Sequence, residues 1–212
     1  MTAEPPKIRV GVLNLQGAVS EHVDMTNQTL QQLNLPGQTV TVKNPEQLDG
    51  VHGLIIPGGE STTIGRISKE RNLIDKIVKS SEEEMPIMGT CAGAIILAKE
   101  VYDARLGNKS QPLLALMDVR IQRNAFGRQK ESFEAPVEIP ILGSQPFKGV
   151  FIRSPVIERT WGNAEPLASY ENRIVSVRQN NLIATSFHPE LSGETRLHQY
   201  FIKMILESPL FA

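Results

Sequence analysis

The sequence predicts an α/β protein with a mostly parallel central sheet, helices on both faces and a small antiparallel addition. In the first hundred residues, short β-rich apolar runs alternate with stretches of helical length. Beyond Val101 the elements shorten and become β-like, with Pro, Gly and Asn between them. No internal repeat, low-complexity linker or boundary divides the 212 residues, so one domain over residues 1–212 is expected, with residues 1–7 as a short polar leader. Strands separated by helices pair in parallel because each crossover returns over a face of the sheet.

The first strand is Ile8-Arg9-Val10-Gly11-Val12-Leu13, ended by the turn Asn14-Leu15-Gln16-Gly17. A helix then starts at Ala18, with Val19, Val23 and Leu30 among its apolar positions, and stops before Pro36-Gly37. Thr39 to Lys43 reads as a second strand and Gly53 to Pro57 as a buried third, which runs into Gly58-Gly59-Glu60-Ser61-Thr62-Thr63. Ser61 or Thr62 can cap one helix spanning about Thr63 to Glu83. A short strand, Pro86 to Gly89, leads through Thr90-Cys91-Ala92-Gly93 into a helical segment, Ala94 to Lys99. Asp103 to Gln111 reads as a surface loop. Short strands follow at Val119–Gln122, Phe133–Val137, Val150–Arg153, Ala168–Tyr170 and Arg173–Arg178. Gln179-Asn180-Asn181 turns a hairpin into Leu182–Phe187, and after His188-Pro189-Glu190 one helix, about Thr195 to Leu206, remains.

Composition narrows the function. Hydrophobic residues make up 40% and charged residues 21%, and the 16 Gly and 14 Pro are dispersed, which excludes disorder and fibrous repeats. A formal net charge of −1 gives no broad electrostatic reason to expect nucleic acid or an anionic membrane as partner. The densest basic run is Arg120, Arg123, Arg128 and Lys130. The N-terminus has no apolar stretch of signal type and no later segment suits a bilayer, so a cytoplasmic location is the default expectation. One cysteine cannot form an internal disulfide, which agrees with a reducing compartment.

That cysteine has glycine two positions to either side, between a strand and a helix. Small residues relieve crowding at such a turn, and the positive end of the helix beneath favours a thiolate. The alternative is a buried cysteine that packs as a small hydrophobe. A thiolate needs a base and an orienter. Of four histidines, His188 closes an apolar β-rich run with Glu190 two residues on. In an extended His-x-Glu segment both side chains point to one side, so Glu190 can fix the imidazole tautomer while the other ring nitrogen faces Cys91. His22 is expected to be partly exposed on the first helix, and His52 and His198 to be structural or solvated. Cys91, His188 and Glu190 are also conceivable zinc ligands, but no close ligand pair accompanies them. The Gly58-Gly59-Glu60-Ser61 turn lacks the later glycine and lysine of a phosphate loop. It is either a plain strand-to-helix turn or a place where the Gly59 N–H joins that of Ala92 to meet the oxygen of a tetrahedral intermediate.

Pro-Gly-Gly-Glu-Ser-Thr-Thr at 57–63, Gly-Thr-Cys-Ala-Gly at 89–93 and His-Pro-Glu at 188–190, in that order, resemble the class I, triad-type glutamine amidotransferases. Within that family the chain is similar to the glutaminase subunits of pyridoxal 5'-phosphate synthase. The similarity is carried by Gly11-Val12-Leu13, Leu15 to Val19, Glu21-His22, the distinctive Arg123-Asn124-Ala125-Phe126-Gly127-Arg128-Gln129, and Phe151-Ile152-Arg153-Ser154-Pro155. Asn14 and Ser154 depart from residues frequent in the family. The resemblance implies a three-layer class I glutamine amidotransferase-like fold, with Cys91 as nucleophile, His188 as base and acid, and Glu190 as orienter. It implies oxyanion donors at Gly59 and Ala92, and glutamine contacts from Gly59, Glu60, Ser61, Arg123, Ile152 and Arg153. Gln16 and Gly17 are implied to respond to partner docking. It implies L-glutamine as substrate and no bound cofactor or metal. The implied partner is a (β/α)8-barrel synthase subunit in an assembly of twelve glutaminase and twelve synthase subunits, with no role for nucleic acid or membrane.

Overall fold

The computed structural model describes residues 7–103, 111–123 and 132–211. The expected leader, most of the loop after Asp103, and Asn124–Gln129 with Arg128 and Lys130 therefore lie outside the described residues. In chain order the elements begin β1 (Ile8–Leu13), α1 (Val19–Gln32), β2 (Gly37–Val42), β3 (Gly53–Ile56), α2 (Ser61–Glu70) and α3 (Leu73–Glu82). They continue with β4 (Ile87–Thr90), α4 (Ala92–Leu97), β5 (Ala98–Asp103), β6 (Met117–Arg123), β7 (Ser132–Val137) and β8 (Phe147–Ile152). The chain closes with β9 (Val156–Thr160), β10 (Glu165–Tyr170), β11 (Arg173–Gln179), β12 (Leu182–Thr185) and α5 (Arg196–Leu206).

The main sheet runs β2-β1-β3-β4-β12-β11-β9-β6-β5, and β10 pairs with β11. From β2 through β12 all pairings are parallel. On the other side β11 is antiparallel to β12, β9 and β10, β9 is antiparallel to β6, and β6 returns parallel to β5. A separate antiparallel pair, β7–β8, completes the expected addition.

Alternation along the central strands creates two cores. Leu54 and Ile56 of β3, Ile87 of β4, and Leu182 and Ala184 of β12 pack with α2, α3 and α4. Ile55, Met88 and Ile183 point the other way, onto α1, α5 and the inner side of β7–β8. Because the inner strands are covered on both faces, they read as continuous apolar runs rather than as alternating ones. No helix among the described residues is long and apolar enough to cross a membrane.

Several elements depart from the sequence expectation. The helix expected over Thr63–Glu83 is two helices, broken at Asn72, whose φ of 57° takes the left-handed conformation that Asn tolerates. The cap of α2 is neither Ser61 nor Thr62 but Glu60, whose carboxylate accepts from the backbone N–H groups of Thr62 and Thr63. The helix expected to reach Lys99 ends at Leu97, and β5 starts at the next residue, so Asp103 closes a strand rather than opening a loop. β9 carries no clear strand signal in the sequence, since Glu158, Arg159 and Thr160 give it a polar end.

The close packing of β3, β4 and α4 depends on two glycines. A Cβ at Gly93 would stand 2.0 Å from the Ile56 carbonyl oxygen, and one at Gly89 would stand 2.6 Å from Leu97 Cδ1 and 2.7 Å from the Gly93 carbonyl. Backbone cannot yield as a flexible side chain can. Gly93→Ala is therefore expected to destabilise the fold by about 3 kcal/mol. Equilibrium urea unfolding measures it, and a loss under about 1 kcal/mol would contradict the packing argument.

Candidate active site

Four adjacent parallel strands, in the order β1, β3, β4, β12, release their chains at the same edge of the sheet. Just past those carboxyl ends lie Gln16, Gly59, Cys91 and His188, where ligands sit in open α/β sheets. A cavity of about 270 Å³ opens there. Gln16, Gly59, Glu60, Ser61, Cys91 and Ala92 line it, and Arg123, Ile152, Arg153 and His188 complete the wall. Ile95 and Pro155 also line it and were not anticipated, since neither bears a polar side chain.

Cys91 occupies the turn between β4 and α4 with φ 50° and ψ −101°. That is costly for a residue with a Cβ, and it persists because the surroundings over-determine it. Its N–H donates to the Thr185 carbonyl of β12 at 2.8 Å, and Gly89 and Gly93 let α4 lie against β3 and β4. The side chain is 7% exposed at the cavity wall, with Sγ 4.0 Å from the Ile152 carbonyl oxygen. The helix that follows has only six residues, Ala92–Leu97, so its dipole is short.

His188 is extended at φ −102°, but the expected extended His-x-Glu is not observed. Pro189–Leu191 forms a single 3-10 turn instead, since proline suits the first helical position. The turn brings Glu190 Oε1 to 2.7 Å from His188 Nδ1, with the Glu190 side chain fully buried. A carboxylate can only accept, so the His188 Nδ1–H donates to it and Nε2 is left for Cys91. Burial alone would lower the His188 pKa, but hydrogen bonding to Cys91 and Glu190 and their charges outweigh it and raise it to about 10. Burial alone would raise Glu190, yet the facing imidazoles hold it below the ordinary carboxylate value. Gly58 closes the gap above both side chains, where a Cβ would meet His188 Cε1 at 2.4 Å and Cys91 Cβ at 3.3 Å.

The remaining expected residues divide into two groups. Arg123 is anchored by Gln111 Oε1 at 2.9 Å, Thr62 Oγ1 at 3.2 Å and Glu60 Oε1 at 3.3 Å, with Asp103 Oδ2 at 3.8 Å. Glu60 thus holds Arg123 and caps α2 with one carboxylate, and Ser61 lies buried beside it. Arg153 takes φ 44°, and the preceding Ile152 N–H donates to Ser154 Oγ at 3.1 Å, giving the departing Ser154 a local partner. In the second group, Gln16 Oε1 accepts from the Glu60 N–H at 2.7 Å. The Ala18 N–H donates to the Gly58 carbonyl at 3.0 Å. A Cβ at Gly17 would fall 1.8 Å from that carbonyl oxygen, so the Gln16-Gly17 turn presses directly on the Gly58-Gly59 turn.

One expectation fails clearly. His22 is not partly exposed but 0% exposed, with Nε2 3.2 Å from Glu190 Oε2 and 3.0 Å from Thr90 Oγ1. Of the two readings for His198 the structural one holds: it is buried, its Nε2 3.2 Å from His22 Nδ1. His52 is structural, accepting from the Arg9 N–H at 3.0 Å.

Residues 12–207 match the SNO glutamine amidotransferase family. Pyridoxal 5'-phosphate synthase subunit PdxT of Moorella thermoacetica is 50% identical over 198 residues, covering 93% of this chain and 100% of that protein. The subunit of the same name from Pyrococcus horikoshii is 48% identical, covering 94% and 100%, and that from Sulfolobus acidocaldarius 46%, covering 93% and 99%. A solved glutamine amidotransferase superposes with a TM-score of 0.82 at 44% identity, over 92% of this chain and 98% of its own. A glutamine amidotransferase from Thermotoga maritima, at 16% identity and a TM-score of 0.57 over 95% and 85%, shares the fold.

Glu60 yields a pH prediction. Burial alone would raise its pKa, but the hydrogen bonds from Thr63 and Thr62 outweigh this and lower it from 4.5 to about 2. Its stabilisation of the α2 terminus is then fully present above pH 4.5 and lost as pH falls towards about 2. Urea midpoints of wild type and Glu60→Gln should differ most above that range and converge on acidification. A gap that stays constant over the range would contradict the capping role.

Proposed function

Because the chain belongs to the SNO glutamine amidotransferase family, we propose that it is the glutaminase subunit of a pyridoxal 5'-phosphate synthase, releasing ammonia from L-glutamine for the synthase subunit. The observation that carries the reading is a cysteine on a positive-φ turn, in a cavity, beside a histidine whose far nitrogen is held by a fully buried carboxylate.

In the proposed reaction His188 takes the Cys91 thiol proton and Sγ attacks the side-chain carboxamide carbon of glutamine. The oxygen becomes an oxyanion facing the N–H groups of Gly59 and Ala92. As the carbonyl re-forms, the carbon–nitrogen bond breaks and ammonia departs with the proton from His188, leaving a glutamyl thioester. His188 then removes a proton from water, the resulting hydroxide attacks the thioester, and the carbon–sulfur bond breaks to release glutamate and the thiol. Once His188 has taken the thiol proton, a pKa raised to about 10 holds it there for the leaving-group step, since the unprotonated amide anion is a poor leaving group. Glu190 keeps the imidazole in one tautomer and orientation throughout. Arg123 or Arg153, both on the cavity wall, is proposed to hold the substrate carboxylate, with Glu60, Ser61 and Ile152 shaping the rest of the site. The partner is proposed to be a (β/α)8-barrel, with twelve copies of each subunit in the assembly, and its docking to act through the Gln16-Gly17 turn on Gly59.

Cys91→Ala should abolish turnover, a loss of at least about 10⁴-fold, while the fold is kept. Ammonia release from glutamine, with and without the synthase subunit, measures it, and mass spectrometry of the acid-quenched wild type should find a glutamyl adduct on Cys91. Turnover retained in a clean Cys91→Ala preparation would remove the nucleophile assignment. Glutamine binding without ammonia, even with the partner present, would make the chain a regulatory subunit.

A further inference from the structure

Behind Glu190 the buried polar chain continues through two more imidazoles, and its hydrogen-bond logic has one consistent solution. The Glu190 and His22 side chains are both 0% exposed. Glu190 Oε1 is taken by His188, while Oε2 has no donor among the described residues that meets hydrogen-bond geometry and faces only His22 Nε2, at 3.2 Å. His22 Nδ1 meets His198 Nε2 at 3.2 Å, and His198 Nδ1 is buried with no partner among the described residues.

Suppose first that His22 carries its proton on Nδ1. A lone pair would then face a carboxylate oxygen, and His198 would have to accept at Nε2 and bury an unpaired N–H at Nδ1. Both are costly. With the proton on His22 Nε2 the N–H donates to Thr90 Oγ1 and turns its positive charge to Glu190 Oε2 at 3.2 Å, His198 donates from Nε2 to His22 Nδ1, and no imidazole N–H is left unpartnered. Burial lowers the pKa of both His22 and His198, so both are neutral and the tautomers are well defined.

We propose that His22 is a positioning residue for the reaction. Its Nε2–H, fixed by the hydrogen bond from His198, holds the second oxygen of Glu190 and so fixes the orientation of His188 against Cys91. The same N–H reaches Thr90, the residue before Cys91, and so ties α1 to both ends of the reacting group. The inference rests on the glutaminase reading above.

The test compares two polar replacements that differ in reach. His22→Gln can present an amide N–H near the place of Nε2, whereas His22→Asn is one carbon shorter and cannot reach Glu190. With the full-length chain and excess synthase subunit, kcat for ammonia release should stay within about 3-fold of wild type in the Gln variant and fall about 10-fold or more in the Asn variant, with KM for glutamine unchanged in both. Thermal unfolding of each variant separates positioning from loss of fold. A folded Asn variant with wild-type kcat, or Gln and Asn variants impaired alike, would overturn the proposal. If neither folds, His198→Leu decides: a fall in kcat of about 3-fold or more at constant KM supports it, and an unchanged kcat overturns it. A wild type that releases no ammonia under these conditions removes the glutaminase reading and the inference with it, whereas an active wild type matched by every variant removes the inference alone.

Discussion

The backbone at Cys91 is the constraint around which the rest is arranged. A residue with a Cβ at φ 50° is held only if its neighbours leave it no relaxed alternative. The hydrogen bond to Thr185 fastens the turn to β12, and the glycines on either side let α4 approach β3 and β4 closely enough to trap it. Because β3, β4 and β12 are adjacent and parallel, the same geometry delivers the Gly58-Gly59 turn and His188 to the two sides of the thiol. The site is assembled by strand order more than by any long loop.

Its electrostatics follow from burial. Glu190 is charged where water cannot reach it, a costly arrangement unless every oxygen is faced by donors. His188 supplies one, and the surrounding imidazoles supply a polar wall for the other. Cys91 and that carboxylate together outweigh burial and raise the His188 pKa, so in the proposed reaction a proton taken from the thiol is held for the departing nitrogen.

Much of this was legible in the sequence because the signals are local. Strand and helix periods, the glycines around Cys91 and the spacing of His188 and Glu190 each need only a few neighbouring residues. Features that depend on distant contacts were not legible. The buried stripe of α1 is His22, Met25, Thr26, Thr29 and Leu30, a helical face at the right spacing but with polar residues at three of its five positions. Hydropathy pointed instead to Val19 and Val23, which are only half buried. Thr29 escapes the usual cost by donating to the Met25 carbonyl, and His22 does so through partners 68 or more residues away in the chain. The break at Asn72 and the cap at Glu60 had local signals, an asparagine and an acidic residue before a helix, which the longer helical pattern obscured.

The direct passage from α4 into β5 joins distant parts of the molecule. With no residue between Leu97 and Ala98, the chain leaves the Cys91 turn in the middle of the sheet and arrives at its far edge beside β6, the strand that ends in Arg123. Helix rotation and strand register are therefore a single degree of freedom. The placing of Cys91 relative to Arg123, both on the cavity wall, is set like a gauge by that span together with the pairing of β5 and β6, in which Asp103 stands opposite Arg123, and with it, in the proposed reaction, the length of amino acid side chain that fits between them.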